Sequence, residues 1–86
     1  MKHKEDRKAG VLEAVATLTE RFGYPPSYRD IGTEVGLAHS AVFNIVESLR
    51  RDGLINEREA LHSRAITLTP TGLAAVADYR GYPNSA

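Results

Sequence analysis

Hydrophobic positions change their period along this chain, and the changes divide it into elements. Val11, Ala14, Val15, Leu18 and Phe22 recur at three- and four-residue intervals and share one face of a helix. The spacing predicts a helix from about Asp6, as N-cap, to Phe22, with Gly23 as its stop. Glu13, Glu20 and Arg21 fall away from that stripe. Gly10 lies inside the helix and costs up to about 1 kcal/mol relative to alanine.

Tyr24-Pro25-Pro26 cannot continue a helix, because proline lacks an N–H and restricts the residue before it. Ser27 then caps a second helix, with Asp30 three residues on completing a variant of the capping box. Tyr28, Ile31 and Val35 share a face, and Gly36 fits a left-handed C-cap. A third helix is expected from Ala38 or His39 to Asp52, with Gly53 following it. Its apolar stripe is Val42, Ile45, Val46 and Leu49. Ser40, Asn44, Glu47 and Arg51 lie opposite, with Phe43 and Ser48 at the edges.

The period then shortens to two. Residues 54–58 and 64–69 read as paired strands, with Ile66 and Leu68 alternating inward and residues 59–63 projecting between them. Pro70-Thr71-Gly72 breaks the second strand, and a short helix from Leu73 to Tyr79 presents Leu73, Val76 and Ala77. The whole is one domain: a basic, flexible N-terminus at 1–6, a core at 7–69, a C-terminal helix within 70–80 and a loose tail at 81–86. No internal repeat and no low-complexity run interrupts it.

Composition narrows the function. A chain of 86 residues supports one small core. It has no cysteine, so neither a disulfide framework nor a thiolate metal site is expected. No apolar run approaches the roughly 18 residues of a membrane span, and a cytoplasmic location is expected. Eleven basic and eleven acidic residues cancel, which argues against nucleic-acid binding by bulk charge alone and leaves arrangement to decide. Catalysis has little support: His3, His39 and His62 are scattered without a carboxylate at ligand spacing, and no glycine-rich phosphate loop is present. No cofactor, metal or small-molecule ligand is expected.

Helix, tight turn, helix and hairpin in this order define an α+β winged helix-turn-helix: a three-helix core, a two-stranded β-hairpin wing and a short C-terminal helix. In such a unit the third helix has the shape to enter a DNA major groove. Ser40 and Asn44 suit base readout, Asn44 by pairing bidentately with an adenine. Phe43 either meets a thymine methyl or belongs to the core, and Glu47 repels phosphate but can accept from a cytosine amine. His39 sits in the helix's first turn, where free N–H groups favour phosphate, and Ser27 stands at the start of the preceding helix. Arg51, with Arg50, either clamps a phosphate or neutralises the helix C-terminus. In the wing, Arg58, His62 and Arg64 are candidates for a backbone or minor-groove contact, and the N-terminal lysines, Lys2, Lys4 and Lys8 beside Arg7, for the backbone. Each of these residues can equally be an ordinary solvated side chain.

Three segments give the chain a resemblance to a known family. Gly23-Tyr24-Pro25-Pro26-Ser27-Tyr28-Arg29-Asp30-Ile31, then Val35-Gly36-Leu37, then Leu49-Arg50-Arg51-Asp52-Gly53-Leu54-Ile55 resemble the N-terminal DNA-binding domain of LexA-type repressors. The Arg64-Ala65-Ile66 strand start is similar too, so the likeness covers about residues 7–69. It implies sequence-specific binding of double-stranded DNA, as a transcriptional repressor of bacterial, phage or mobile-element origin. Two departures stand out. LexA repressors carry a self-cleaving domain with a Ser-Lys dyad, whereas no lysine follows Lys8 here, so self-cleavage is not carried over. The interval from Gly36 to Gly53 is one residue shorter than the LexA pattern and, like Leu68-Thr69-Pro70-Thr71-Gly72, is similar to MarR-type regulators.

Two other readings share the fold: a protein-interaction module docking through Phe43 or the last helix, and an accessory DNA-binding factor in recombination or replication. For a homodimer, Leu73, Val76 and Tyr79 offer a surface, unless they pack back onto the first helix.

Overall fold

The computed structural model describes residues 4–59 and 64–80. Its elements follow one another as α1 (Lys4–Phe22), α2 (Tyr28–Val35), α3 (His39–Arg51), β1 (Ile55–Glu59), β2 (Arg64–Leu68) and α4 (Pro70–Arg80). The two strands form one antiparallel ladder, in which Ile55 faces Leu68, Glu57 faces Ile66, and Glu59 faces Arg64. The expected 1–3 part of the N-terminus, the wing tip at 60–63 and the tail at 81–86 lie outside the described residues.

The helix boundaries have local causes. The Ser27 Oγ accepts from the Asp30 N–H at 3.2 Å and the Asp30 carboxylate accepts from the Ser27 N–H at 3.0 Å, a complete capping box at the head of α2. Gly36 closes α2 at φ 72° and Gly53 follows α3 at φ 81°, conformations that a Cβ disfavours. Between them Ala38 opens α3 without a side-chain cap. The turn between α2 and α3 is tight because Gly32 lets the chain close in: a Cβ there would sit 2.9 Å from the Leu37 carbonyl oxygen.

One core joins all six elements. Leu12, Ile31, Leu49, Ile55, Ile66, Val11, Val15, Val42 and Val46 are its largest fully buried aliphatic side chains. Each contributes on the order of 1.5–3 kcal/mol relative to exposure. The expected stripe of α1 is buried except for Phe22, which is half-buried, and so are Leu12 and Ala16 on its other side. The helix is wrapped because α4 and β2 cover the flank that α2 and α3 leave open.

Four boundary or packing expectations need correction. Lys4, not Asp6, begins α1, so Asp6 lies within its first turn and is not the N-cap. The first strand is 55–59 and the second 64–68, each a residue from expectation. Pro70-Thr71-Gly72 does not separate strand from helix but is the first turn of α4. Thr69 caps it, its Oγ accepting from the Gly72 N–H at 3.0 Å, and Pro70 occupies the position where a missing N–H costs nothing. Lastly, Val76 is core, whereas Leu73 and Tyr79 are exposed on α4, so the three do not form one outward surface. Arg80 fixes the far end of α4 to α1: its guanidinium donates to the Thr17 Oγ at 2.8 Å and reaches Glu13 and Glu20 at 3.4 Å each.

The wing is anchored at its root. On the side away from β1, the Ile66 N–H donates to the carbonyl of the buried Pro26 at 3.2 Å. The Thr69 N–H donates to the Leu54 carbonyl at 3.1 Å, and the Thr69 hydroxyl donates to the Gly53 carbonyl at 2.7 Å. Gly72 must be small, because a Cβ there would stand 2.1 Å from the Leu54 carbonyl oxygen.

Candidate nucleic-acid interface

Packing fixes which side of α3 faces out. Val42, Val46 and Leu49, three or four residues apart, share one face buried against α1, α2 and β1, so the residues two positions away from them are turned outward. Ser40, Asn44 and Arg51 are exposed, and Glu47 is half-buried in the same row. Ile45 and Ser48 are half-buried on the side toward α1, and Phe43 is 42% exposed on the side toward the wing. Phe43 is thus at the rim, touching the interior with one edge and open to solvent with the rest.

Two grooves run along α3, and their chemistry differs. The first lies between α3 and the start of α1, about 480 Å³ in volume, lined by Arg7, Lys8, Ala41, Asn44, Ile45, Ser48 and Arg51. Lys8 pairs with Asp52 at 2.7 Å. Arg7 and Arg51 are both exposed and make no ion pair among the described residues.

The second groove, about 360 Å³, lies between α3, the start of α2 and β1. Tyr28, His39 and Phe43 supply an aromatic wall, with ring centroids 5.4 Å apart for Tyr28 and His39 and 5.7 Å for Tyr28 and Phe43. The Tyr28 hydroxyl donates to the Glu57 carboxylate at 2.7 Å, tying α2 to the wing. Glu47 accepts from Arg50, and this hydrogen bond is the main reason that the Arg50 guanidinium has a pKa above its ordinary value. Arg50 and Arg51, adjacent in sequence, therefore serve opposite grooves.

The structure distributes the candidate residues accordingly. Asn44 and Arg51 line the basic groove; His39, Phe43 and Glu47 line the acidic, aromatic one; Ser40 is exposed near the start of α3. The Ser27 Oγ is engaged in capping α2. Arg58 pairs with Ala65 in the ladder and Arg64 with Glu59, so both arginines belong to the paired part of the wing; His62 is outside the described residues. Sequence reasoning counts Arg7 only among the charges of the N-terminal segment and does not single out Tyr28 or Glu57 as site residues. Nothing local in the sequence marks them, since Arg7 meets α3 only through folding and Tyr28 reads as a core aromatic.

A three-helix core with a hairpin wing and an outward third helix defines a winged-helix protein, and solved structures agree. The MarR family transcriptional regulator of a Rhodococcus species superposes with a TM-score of 0.75 at 20% identity, over 87% of this chain and 51% of that one. The AF1382 protein of Archaeoglobus fulgidus gives 0.77 at 16% identity, over 86% of this chain and 80% of that one.

Sequence comparison then gives the family. The LexA DNA binding domain profile matches residues 1–65, and the chain belongs to that family. The LexA repressor of Enterococcus faecalis is 40% identical over 76 residues, which are 87% of this chain and 36% of the relative. That of Streptomyces coelicolor is 37% identical over 71 residues, 81% of this chain and 30% of the relative. The chain thus spans about a third of the length of these relatives. It pairs LexA-type sequence with a fold that also superposes on MarR-type regulators, as the shortened interval between Gly36 and Gly53 suggested.

Proposed function

We propose that this protein binds double-stranded DNA in a sequence-specific manner and acts as a transcriptional repressor in a bacterium, phage or mobile element. The observation that carries the reading is the outward row Ser40, Asn44, Glu47 and Arg51 on the third helix of a LexA-type DNA-binding domain. In this reading α3 enters the major groove. Asn44 pairs with an adenine edge, Ser40 bonds a base or a phosphate, and Glu47 accepts from a cytosine amine. His39 and the uncapped N–H groups at the head of α3 approach a phosphate, and Phe43 meets a thymine methyl. Arg58, His62 and Arg64 carry the wing to the backbone or the minor groove, and the protein works in the cytoplasm. Ser27 caps α2 through its Oγ, and its hydroxyl proton is left to donate to a phosphate.

The test is selection from a randomised duplex pool at two salt concentrations, followed by sequencing of the retained duplexes. An enriched motif whose affinity falls steeply with salt is the expected result. A palindromic motif would point to a dimer, for which Leu73 and Tyr79 on α4 are the exposed apolar candidates. Absence of any enriched motif at low salt would overturn the reading.

One observation favours a second reading, a protein-interaction module. The groove on the wing side sets the exposed Phe43 beside Tyr28 and Glu57, with Glu47 engaged by Arg50, a surface that suits an apolar segment carrying a basic residue. If that reading holds, Phe43→Ala abolishes partner binding while thermal unfolding is unchanged.

A further inference from the structure

The α1–α3 groove gathers cations from two segments 44 residues apart in sequence, Arg7 and Lys8 on α1 and Arg51 on α3. Its remaining lining is small or neutral: Ala41, Asn44, Ile45 and Ser48. Asp52 is the nearby carboxylate, and it is occupied with Lys8 at 2.7 Å. Arg7 and Arg51 stand exposed on opposite walls with no ion pair among the described residues. Across α3 the wing-side groove holds Glu47 and Glu57 against Arg50, which Glu47 already engages, so it favours phosphate less than the α1 side does. A DNA strand approaching α3 therefore meets stronger attraction along the α1 edge of the helix than along the wing edge.

We infer that the α1–α3 groove is a seat for one phosphate backbone strand, gripped by Arg7 and Arg51, and that this seat orients the duplex on α3. Asn44 lines the same groove and projects from the same face of α3, which puts base readout beside the phosphate grip. Lys8 is held by Asp52 and stands beside the grip without adding to it. The acidic wing-side edge is turned to the groove floor, where carboxylates can accept from base amines. The assignment rests on the DNA-binding reading and adds to it a specific residue, Arg7, and a direction.

The experiment measures binding of the full chain, by fluorescence anisotropy, to the selected duplex and to an unrelated duplex between 50 and 300 mM salt. Arg7→Gln and Arg51→Gln are each expected to weaken both duplexes by a similar factor, on the order of tenfold at 0.1 M salt, and to reduce the salt slope by about one. The ratio between the two duplexes stays unchanged. Asp52→Asn releases Lys8 and is expected to tighten both. Arg21→Gln removes one positive charge at the other end of α1, roughly 20 Å away, and should leave binding within twofold. Arg7→Lys should retain the slope, and a melting profile like that of wild type accompanies every variant.

If wild type binds but Arg7→Gln keeps the wild-type slope, the groove assignment fails while the DNA-binding reading stands. If Asp52→Asn weakens binding as Arg7→Gln does, the groove acts through packing and the assignment fails as well. If wild type binds no duplex, both fall together.

Discussion

The two edges of α3 are built by different means. On the wing side the groove is closed by aromatic contacts and by the hydrogen bond from Tyr28 to Glu57, which joins two elements through a half-buried carboxylate. On the α1 side, among the described residues, it is closed by one exposed ion pair, Lys8 with Asp52, and leaves two arginines to solvent. The comparison explains how a chain with a formal net charge of zero can still offer a polarised surface. Glu47 and Glu57 lie along one edge, where Arg50 and Tyr28 engage them. Three of its basic residues converge on the other. A total says nothing about such a division; the three- and four-residue rows of one helix, each meeting a different neighbour, produce it.

Both edges depend on the buried face beneath them, so the largest effect should come from there. Leu49→Ala leaves a cavity under the last turns of α3 and is expected to cost about 2–5 kcal/mol of stability, measured by denaturant unfolding, with both grooves lost together. If DNA binding survived that change at unaltered affinity, the grooves would not depend on the core as argued. Next in size, Asn44→Ala should leave stability unchanged and cost about 1–3 kcal/mol of binding at one base position only, checked by repeating the duplex selection. A uniform loss across sequences would instead place Asn44 on the backbone.

Smaller effects sharpen the contrast between the edges. Tyr28→Phe removes the bond to Glu57 and should lower stability by about 1 kcal/mol. Lys8→Gln should lower it less, because exposed ion pairs contribute little; equal losses in the two melts would erase the difference drawn here. Smallest of all, Glu57→Gln keeps an acceptor for Tyr28 but removes a charge. It should raise affinity for an unrelated duplex by roughly two- to threefold at low salt, and the gain should vanish as salt is added.

Much of the fold was legible because it is encoded locally. Ser27 with Asp30, Gly36 and Gly53 each announce a boundary through their own backbone chemistry, and the structure has all of them. Leu12 and Ala16 were harder to read: the stripe that meets α2 and α3 was plain, but nothing in α1 says that a later helix will cover its other flank. The start of α4 was missed because Pro70 and Gly72 look like breakers, whereas one is the first helical residue and the other is small to admit the Leu54 carbonyl. Val76 was ambiguous from spacing alone, since a helix of small residues shows only a weak stripe. At the interface, the outward residues of α3 could be read from its periodicity. The place of Arg7 in the α1–α3 groove could not, because the opposite wall lies on another element and solvent-exposed charge has no sequence pattern.

Thr69 is a joint without slack. One residue stands between the end of β2 at Leu68 and the start of α4 at Pro70, and it is held to Gly53 and Leu54 on one side and to Gly72 and Leu73 on the other. The hairpin is therefore a lever whose fulcrum also carries the last helix. A tilt at its stem has no linker in which to dissipate, and must be taken up by the first turn of α4.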